Sequence, residues 1–186
     1  PSGYQVAIGY GALHSPTTST ENIAIGTDAL RGASASTAQY NVAIGNYSLD
    51  GVTNALNNVG IGRDTLTANT TGDNNIAIGY EAGATNTDGN DNTLLGYRAG
   101  KTINGGTGRN VMLGSQAGQS ATTTDSSTII GYQAAGGAAL TGDYNTAIGY
   151  QSGYALVGGV EGSVLLGHRA GYGATSGGYN TFLGYA

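Results

Sequence analysis

The sequence predicts an all-β fold: a parallel β-solenoid of about eleven coils, each 17–19 residues long. Three observations support this. An Ile/Leu-Gly pair recurs along the whole chain, a β-branched residue stands three positions before each of these glycines, and turn-forming residues fill the rest of every repeat. The repeated glycines, called the anchor glycines below, are Gly9, Gly26, Gly45, Gly62, Gly79, Gly96, Gly114, Gly131, Gly149, Gly167 and Gly184.

Each repeat is predicted to form a short strand, a bend at the anchor glycine, a second short strand around a small residue, and a polar Gly/Asn/Thr-rich return loop. So short a strand is stable only when it pairs, in parallel and in register, with the same strand of the next coil. Asn stands four positions before the anchor glycine in eight of the eleven repeats. Stacked amides of this kind can form a hydrogen-bonded ladder, and the alternative role for this Asn is turn formation.

Composition is uniform from end to end, which predicts one solenoid domain over residues 1–186. Neither end carries a polar capping repeat, so we expect a fragment of a longer array. A net charge of −5 with six Lys and Arg and no basic cluster argues against nucleic acid and anionic membranes as partners. The absence of Cys excludes disulfides and thiolate metal sites, and no apolar run is long enough to insert into a membrane.

Side chains alternate along a strand. We assign the positions one and three before the anchor glycine to the inside of the coil, and the position two before it to the outside. That outer column contains no polar residue, and a strand that is apolar on both faces is normally buried on both. The column therefore predicts a homo-oligomer, three chains around a common axis, with this interface: Ala7, Ala24, Ala43, Gly60, Ala77, Leu94, Met112, Ile129, Ala147, Leu165 and Phe182.

Residue sizes in this column change together with the position four after the anchor glycine. Leu94 occurs with Gly100, and Met112 occurs with Gly118, whereas early repeats combine Ala or Gly with Leu. Such compensation indicates one close-packed layer shared by the two positions. Two repeats depart from it, because both positions are small: Ala77 with Gly83, and Ala147 with Gly153.

The segments Asn22-Ile23-Ala24-Ile25-Gly26 and Asn75-Ile76-Ala77-Ile78-Gly79 are similar to the Asn-Ser-Val-Ala-Ile-Gly motif of YadA-like heads of trimeric autotransporter adhesins. The loop Thr141-Gly142-Asp143-Tyr144-Asn145 resembles that of related repeats in bacteriophage tail fibres. The resemblance covers the whole chain. It implies a left-handed β-roll, a homotrimer, and an extracellular location on a bacterial surface or in a virion tail fibre. The coil is longer than the YadA-type coil, which favours the tail-fibre branch.

The expected function is a structural or adhesive segment of a homotrimeric fibre that projects or contributes to receptor binding. Its expected partners are other copies of itself and a cell-surface glycan or protein receptor. We expect no enzyme activity, no catalytic residues, no metal and no cofactor. A carbohydrate-cleaving spike would need paired carboxylates. Asp88 and Asp91 are instead typical of a turn, or secondarily of a weak Ca²⁺ loop.

Ice binding is the other alternative, and it would need a flat, exposed Thr ladder. Our facing assignment places the strand threonines on the inward side of the coil: Thr93, Thr128, Thr146 and Thr181.

The chain has thirteen Tyr against one Phe and no Trp. Tyr is amphipathic and is enriched at recognition surfaces. The candidate surface-contact tyrosines directly follow an anchor glycine: Tyr10, Tyr80, Tyr97, Tyr132, Tyr150 and Tyr185. Stacking that covers the coil edge is the alternative role. His14 and His168 stand alone and are predicted to be solvated, His168 in the column that elsewhere holds Tyr.

Overall fold

The computed structural model describes residues 3–14, 20–32, 36–104 and 108–186. Eleven three-residue strands form one parallel sheet in chain order, and the described residues contain no helix. The predicted parallel β-solenoid is therefore confirmed. The strands are β1 Val6–Ile8, β2 Ile23–Ile25, β3 Val42–Ile44, β4 Val59–Ile61, β5 Ile76–Ile78, β6 Thr93–Leu95, β7 Val111–Leu113, β8 Thr128–Ile130, β9 Thr146–Ile148, β10 Val164–Leu166 and β11 Thr181–Leu183.

Neighbouring strands are in register, so equivalent residues of successive repeats lie side by side, as Gly60 does with Ala77. The backbone ties each coil to both neighbours. The Ile76 amide donates to the Asn92 carbonyl of the following coil at 2.8 Å, and the Gly79 amide donates to the Ile61 carbonyl of the preceding coil at 2.8 Å. Pairing in both directions stabilises strands that are too short to stand alone.

The second strand predicted after each anchor glycine is wrong, because turns occupy these residues. Asp64 and Leu66 have φ values of 57° and 47°, and such left-handed residues cannot continue a strand. The turns still pair between coils. The Asp64 amide donates to the Asn46 carbonyl at 3.0 Å, and the Leu66 amide donates to the Ala82 carbonyl at 3.1 Å.

The facing assignment of the strands is also wrong. In β2 to β10 the middle residue is buried, while most of the first and third residues are half-buried or exposed. The column predicted to be the oligomer interface therefore lies inside its own coil. Its buried members are Ala24, Ala43, Gly60, Ala77, Leu94, Met112, Ile129, Ala147 and Leu165, whereas Ala7 and Phe182, in the first and last coils, are exposed.

The predicted size compensation is confirmed, but the shared layer is the interior of a single chain. A Cβ atom on Gly100 would lie 2.8 Å from Leu94 Cδ2 and 3.0 Å from Met112 Sδ. The two exceptions are filled by other side chains. A Cβ on Gly83 would lie 2.7 Å from Leu94 Cδ1, and one on Gly153 would lie 2.7 Å from Leu156 Cδ1. Packing is therefore balanced between coils as well as within them.

The Asn ladder is confirmed. Asn75 Nδ2 donates to Asn58 Oδ1 at 3.1 Å, and Asn92 Nδ2 donates to Asn75 Oδ1 at 2.9 Å. Each amide also accepts the backbone N–H of the next Asn and donates to a return-loop carbonyl, as Asn75 does to Gly89 at 2.8 Å. Ser127 continues the ladder by accepting the Asn145 N–H at 3.0 Å. The amides are almost fully buried, so these bonds hold strand and loop together out of contact with water.

Replacing Gly79 by Ala is expected to destabilise the coil by at least about 1–3 kcal/mol, because φ is 126° and a Cβ would lie 2.5 Å from the Gly96 carbonyl oxygen. Gly159→Ala is the matched control. No atom lies within 4 Å of its Cβ position and its φ is ordinary, so this change should be neutral or slightly stabilising. Thermal unfolding followed by circular dichroism measures both. Equal melting temperatures would contradict a special role for the anchor glycine.

Candidate interaction surfaces

The outer sheet face consists of the first and third residues of strands β1 to β11, which point away from the coil interior. All its third residues are Ile or Leu, and its first residues are Val, Ile or Thr. Val111 is 38 % exposed and Leu113 is 43 % exposed. With parallel strands ~4.8 Å apart, the face is a strip about 50 Å long and about 10 Å wide.

The outer sheet face carries no charged side chain and is apolar except for the four strand threonines. Its flat area, roughly 500 Å², lies at the upper end of the apolar patches that monomers expose. The prediction that its residues lie in the coil interior is wrong. The size compensation with the position after the bend was the signal that could have placed them correctly. Strand threonines also belong to this face, so Thr93, Thr128, Thr146 and Thr181 point outward and not inward.

Seven of the eleven residues that directly follow an anchor glycine are aromatic, and six of them stack into an aromatic ladder. Tyr132, Tyr150, His168 and Tyr185 stack in succession, with ring centroids 5.5, 5.0 and 4.9 Å apart and interplanar angles of 16° or less. His168 is thus exposed, as predicted, but it lies between two tyrosine rings. Rings inside such a stack present their edges and hydroxyl groups to solvent, because neighbouring rings cover their faces.

All six candidate surface-contact tyrosines are exposed. In the inner coils the exposed fraction is 37 % for Tyr80, 43 % for Tyr97 and 44 % for Tyr132 and Tyr150, and Tyr10 and Tyr185 are more exposed still. Tyr80 and Tyr97 stack on each other at 5.7 Å. Stacking accounts for five of these six tyrosines, Tyr10 being the exception, as the alternative role expected.

An ionic cluster borders this ladder. Arg98 Nε donates to Glu81 Oε2 at 2.7 Å, and Lys101 Nζ lies 2.8 Å from the same oxygen. The hydrogen bond from Lys101, together with that from Arg98, lowers the pKa of Glu81. The Arg98 guanidinium also lies 5.0 Å from the Tyr97 ring centroid, a cation–π contact. The cluster therefore holds Arg98 towards the preceding coil.

The carboxylates of Asp28 and Asp50, in the second and third coils, both lie near the Arg31 guanidinium. Arg31 Nε lies 3.0 Å from Asp50 Oδ1, and Arg31 Nη1 lies 3.9 Å from Asp28 Oδ2. Burial raises the pKa of Asp50, while the charge of Arg31 opposes that rise. A guanidinium between two carboxylates fits an ion-pair network. It differs from the arrangement of a glycosidase, in which two carboxyl groups flank the scissile bond.

The loop carboxylates singled out as a turn or a weak Ca²⁺ loop accept hydrogen bonds from nearby side chains. Asp91 Oδ1 accepts from Asn74 Nδ2 at 3.1 Å, and Asp88 Oδ1 accepts from the Thr87 hydroxyl at 3.1 Å. Within the described ranges, no three His, Asp or Glu side chains group in a way that could hold a metal ion. The same residues contain no helix long and apolar enough to cross a membrane.

No family model matches the chain, and no curated protein or solved structure matches it either.

Proposed function

We propose that this chain is a structural and adhesive segment of a homotrimeric extracellular fibre, in a phage tail or on a bacterial surface. The observation that supports it is the outer sheet face, an apolar strip that runs the full length of the solenoid. Three chains that bury this strip around a common axis would form a rod whose long dimension follows the stack of coils. Such a rod spaces a receptor-binding tip from its anchor and presents repeated weak contacts along its side.

Other copies of this chain are the occupant that best fits the outer sheet face. A second solenoid of the same pitch carries the same column of aliphatic side chains every ~4.8 Å, so its ridges match the strip over the whole length. Burying the face also shields the row of Val and Ile side chains from wrong partners. The resemblance of the Asn-x-Ala-Ile-Gly segments to trimeric adhesin heads supports the same partner.

A three-fold arrangement suits a fibre better than a two-fold pair. A two-fold axis perpendicular to the solenoid would bring two faces together with the chains running in opposite directions. A two-fold axis parallel to the solenoid would keep them parallel, so it is the resemblance to trimeric adhesin heads that favours three chains over two. A three-fold axis along the solenoid keeps all chains parallel, closes the assembly, and leaves one face per chain for the interface. The aromatic ladder lies beyond the bend that ends each strand, so it would stay at the rim of the trimer interface.

The test is the mass of the isolated chain in solution, measured by light scattering after size exclusion. We expect three times the 18.4 kDa chain mass, unchanged on dilution to low micromolar concentration. A stable monomer, or a dimer, would contradict the proposal. Negative-stain microscopy should show rods about 50 Å long, from eleven strands ~4.8 Å apart.

Ice binding is the second candidate, and the outward threonines favour it. Thr128 and Thr146 are adjacent on a flat, regularly spaced face. Val111 and Val164 interrupt the Thr column on either side of that pair. A trimer would cover this face, so the two functions exclude each other. Thermal hysteresis of a monomeric chain would support ice binding over the fibre, and its absence in an assembled trimer would support the fibre.

A further inference from the structure

We propose that Tyr154 and Tyr172 form an oxidative cross-linking site, at which a haem peroxidase and hydrogen peroxide join two neighbouring coils through a dityrosine bond. The two residues occupy the same position of successive coils, five residues after the anchor glycines Gly149 and Gly167. They lie outside the outer sheet face and outside the aromatic ladder. The inference therefore concerns a single chain and holds whether or not the chain trimerises.

The rings of Tyr154 and Tyr172 are held in close, parallel contact. Their centroids are 5.2 Å apart and their planes differ by 5°. The two other Tyr–Tyr stacks of the described chain have centroids 5.5 and 5.7 Å apart and interplanar angles of 13° or more. Because both rings stand on equivalent backbone positions of stacked coils, their matching Cε atoms are separated by about the same distance as the centroids.

Contacts with the backbone and with Arg169 fix the pair in place. The Tyr154 ring lies against Gly137, where a Cβ atom would be 2.5 Å from Tyr154 Cζ. The Arg169 guanidinium lies 4.8 Å from the Tyr172 ring centroid, and Arg169 Nε donates to Gln151 Oε1 at 3.1 Å. A radical formed on either tyrosine therefore has the other ring of the pair as its stacked neighbour.

The two phenol groups are accessible to an oxidant. Both tyrosines are half-buried, and within the described residues no hydrogen bond engages either hydroxyl. The side chains that oxidise more readily than Tyr are absent or inaccessible, since the chain has no Cys and no Trp, and its single methionine, Met112, is fully buried. Oxidation is therefore directed to the tyrosines.

The reaction balances with hydrogen peroxide as the oxidant and the peroxidase as the catalyst. Each phenol loses one electron and one proton, and the two phenoxyl radicals join through a bond between their Cε carbons. The hydrogen on each of those carbons then moves to the phenol oxygen, which restores both aromatic rings. The peroxide is reduced to two molecules of water.

Only a small movement is needed to bring the Cε atoms together. The rings must swing from a stacked towards an edge-to-edge arrangement, and the χ2 torsion of Tyr is soft enough to allow it. Holding the two radicals side by side favours coupling within the pair over coupling in solution.

The bond would tie together two coils that no disulfide can link, because the chain has no Cys. The return loop between Tyr154 and Tyr172 contains Gly158 and Gly159, and no atom lies within 4 Å of the Cβ position of either glycine. A cross-link that closes this loosely packed loop restricts the unfolded chain and so stabilises the folded one.

Oxidation of the whole chain with hydrogen peroxide and a haem peroxidase, followed by tryptic digestion and mass spectrometry, tests the site. Trypsin cleaves after Arg109 and Arg169, so Tyr154 lies in peptide 110–169 and Tyr172 lies in peptide 170–186. We expect these two peptides to be joined and to weigh two hydrogen atoms less than their sum, in a product that keeps the mass of one chain. The two other stacked tyrosine pairs each lie within a single tryptic peptide, so they cannot give this product.

Tyr172→Phe keeps a ring in the stack but cannot form a phenoxyl radical, so the yield of joined peptide should fall about tenfold or more. Tyr47→Phe is the matched control. Tyr47 is 37 % exposed and stacks on no ring of the described residues, so its loss should leave the yield unchanged. The oxidised unaltered chain should also melt at a higher temperature than oxidised Tyr172→Phe.

Four results would overturn the proposal. They are the absence of the joined peptide, an equal yield of it from Tyr172→Phe, a product that links two chains, and equal melting temperatures of the oxidised unaltered chain and oxidised Tyr172→Phe.

Discussion

Replacing Asn75 by Ala is expected to lower the free energy of unfolding by roughly 3–6 kcal/mol, one of the largest effects a single change can have here. Asn75 donates to Asn58 Oδ1 and to the Gly89 carbonyl, and it accepts from the backbone and side-chain N–H groups of Asn92. Ala removes the acceptor of the buried backbone and side-chain N–H groups of Asn92, at a cost of about 1–3 kcal/mol each. Asn58 Oδ1 keeps the backbone N–H of residue 75, and the Gly89 carbonyl keeps the Asn86 amide, so those two partners lose one bond and stay satisfied. Thermal and denaturant unfolding, followed by circular dichroism, measures the loss.

Two further variants separate the ladder from a general effect of removing an amide. Asn75→Ser should lose markedly less stability, because Ser163 shows that a hydroxyl in this column still accepts the next backbone N–H, from Asn180 at 3.2 Å. Asn54→Ala removes an exposed amide that accepts from the Thr37 hydroxyl, and should change stability by less than about 1 kcal/mol. If Asn75→Ala were as mild as Asn54→Ala, the ladder would not be a main source of stability.

The sequence predicts the architecture well because the repeat is a strong constraint. An Ile/Leu-Gly pair every 17–19 residues fixes the number of coils, and in-register stacking follows since equivalent residues must meet. The Asn ladder follows for the same reason, because a buried amide needs partners and the equivalent amides of adjacent coils supply them. These features depend on residues that recur from coil to coil, and such recurrence can be recognised in the sequence.

Which strand side chains point into the coil and which point outward could not be predicted in the same way. The middle and third strand positions are apolar and the first is Val, Ile or Thr, so alternation does not distinguish inside from outside. The informative signal was size. Ala, or Gly as at Gly60, occupies the middle of the strand where the coil is narrow, and larger residues such as Leu94 enter only where Gly replaces Leu beyond the bend. That compensation requires the middle strand residue and the fourth residue after the anchor glycine to share the interior of one chain. The sequence-based prediction placed this shared layer at the interface between chains instead.

The second strand and the tyrosines show another limit. Left-handed residues at Asp64 and Leu66 turn the chain where the small residue suggested a strand. Asp is enriched in that conformation but Leu is not, so the residue types predict the turn only in part. Whether exposed rings stack or stay open depends on which residue occupies the column in the next coil.

Val111→Lys is expected to convert the proposed trimer into folded monomers. Val111 lies in the middle of the outer sheet face and is 38 % exposed, so Lys can point to solvent in an isolated coil. In a trimer three ammonium groups would be buried near the axis, each at a cost of several kcal/mol in addition to the lost burial of Val, ~1.5–3 kcal/mol per chain. Light scattering should show the mass falling to that of one chain, with the circular dichroism spectrum retained.

Two matched substitutions decide which face is the interface. Val157→Lys makes the same change at a return-loop Val with nearly the same exposure, 37 %, and should leave the assembly intact. Met112→Lys alters the next residue of the same strand, which is fully buried among neighbouring coils, and should unfold the chain because an unpaired charge enters its interior. If Met112→Lys instead gave folded monomers while Val111→Lys stayed assembled, chains would associate through the middle column, and the outer sheet face would need another partner.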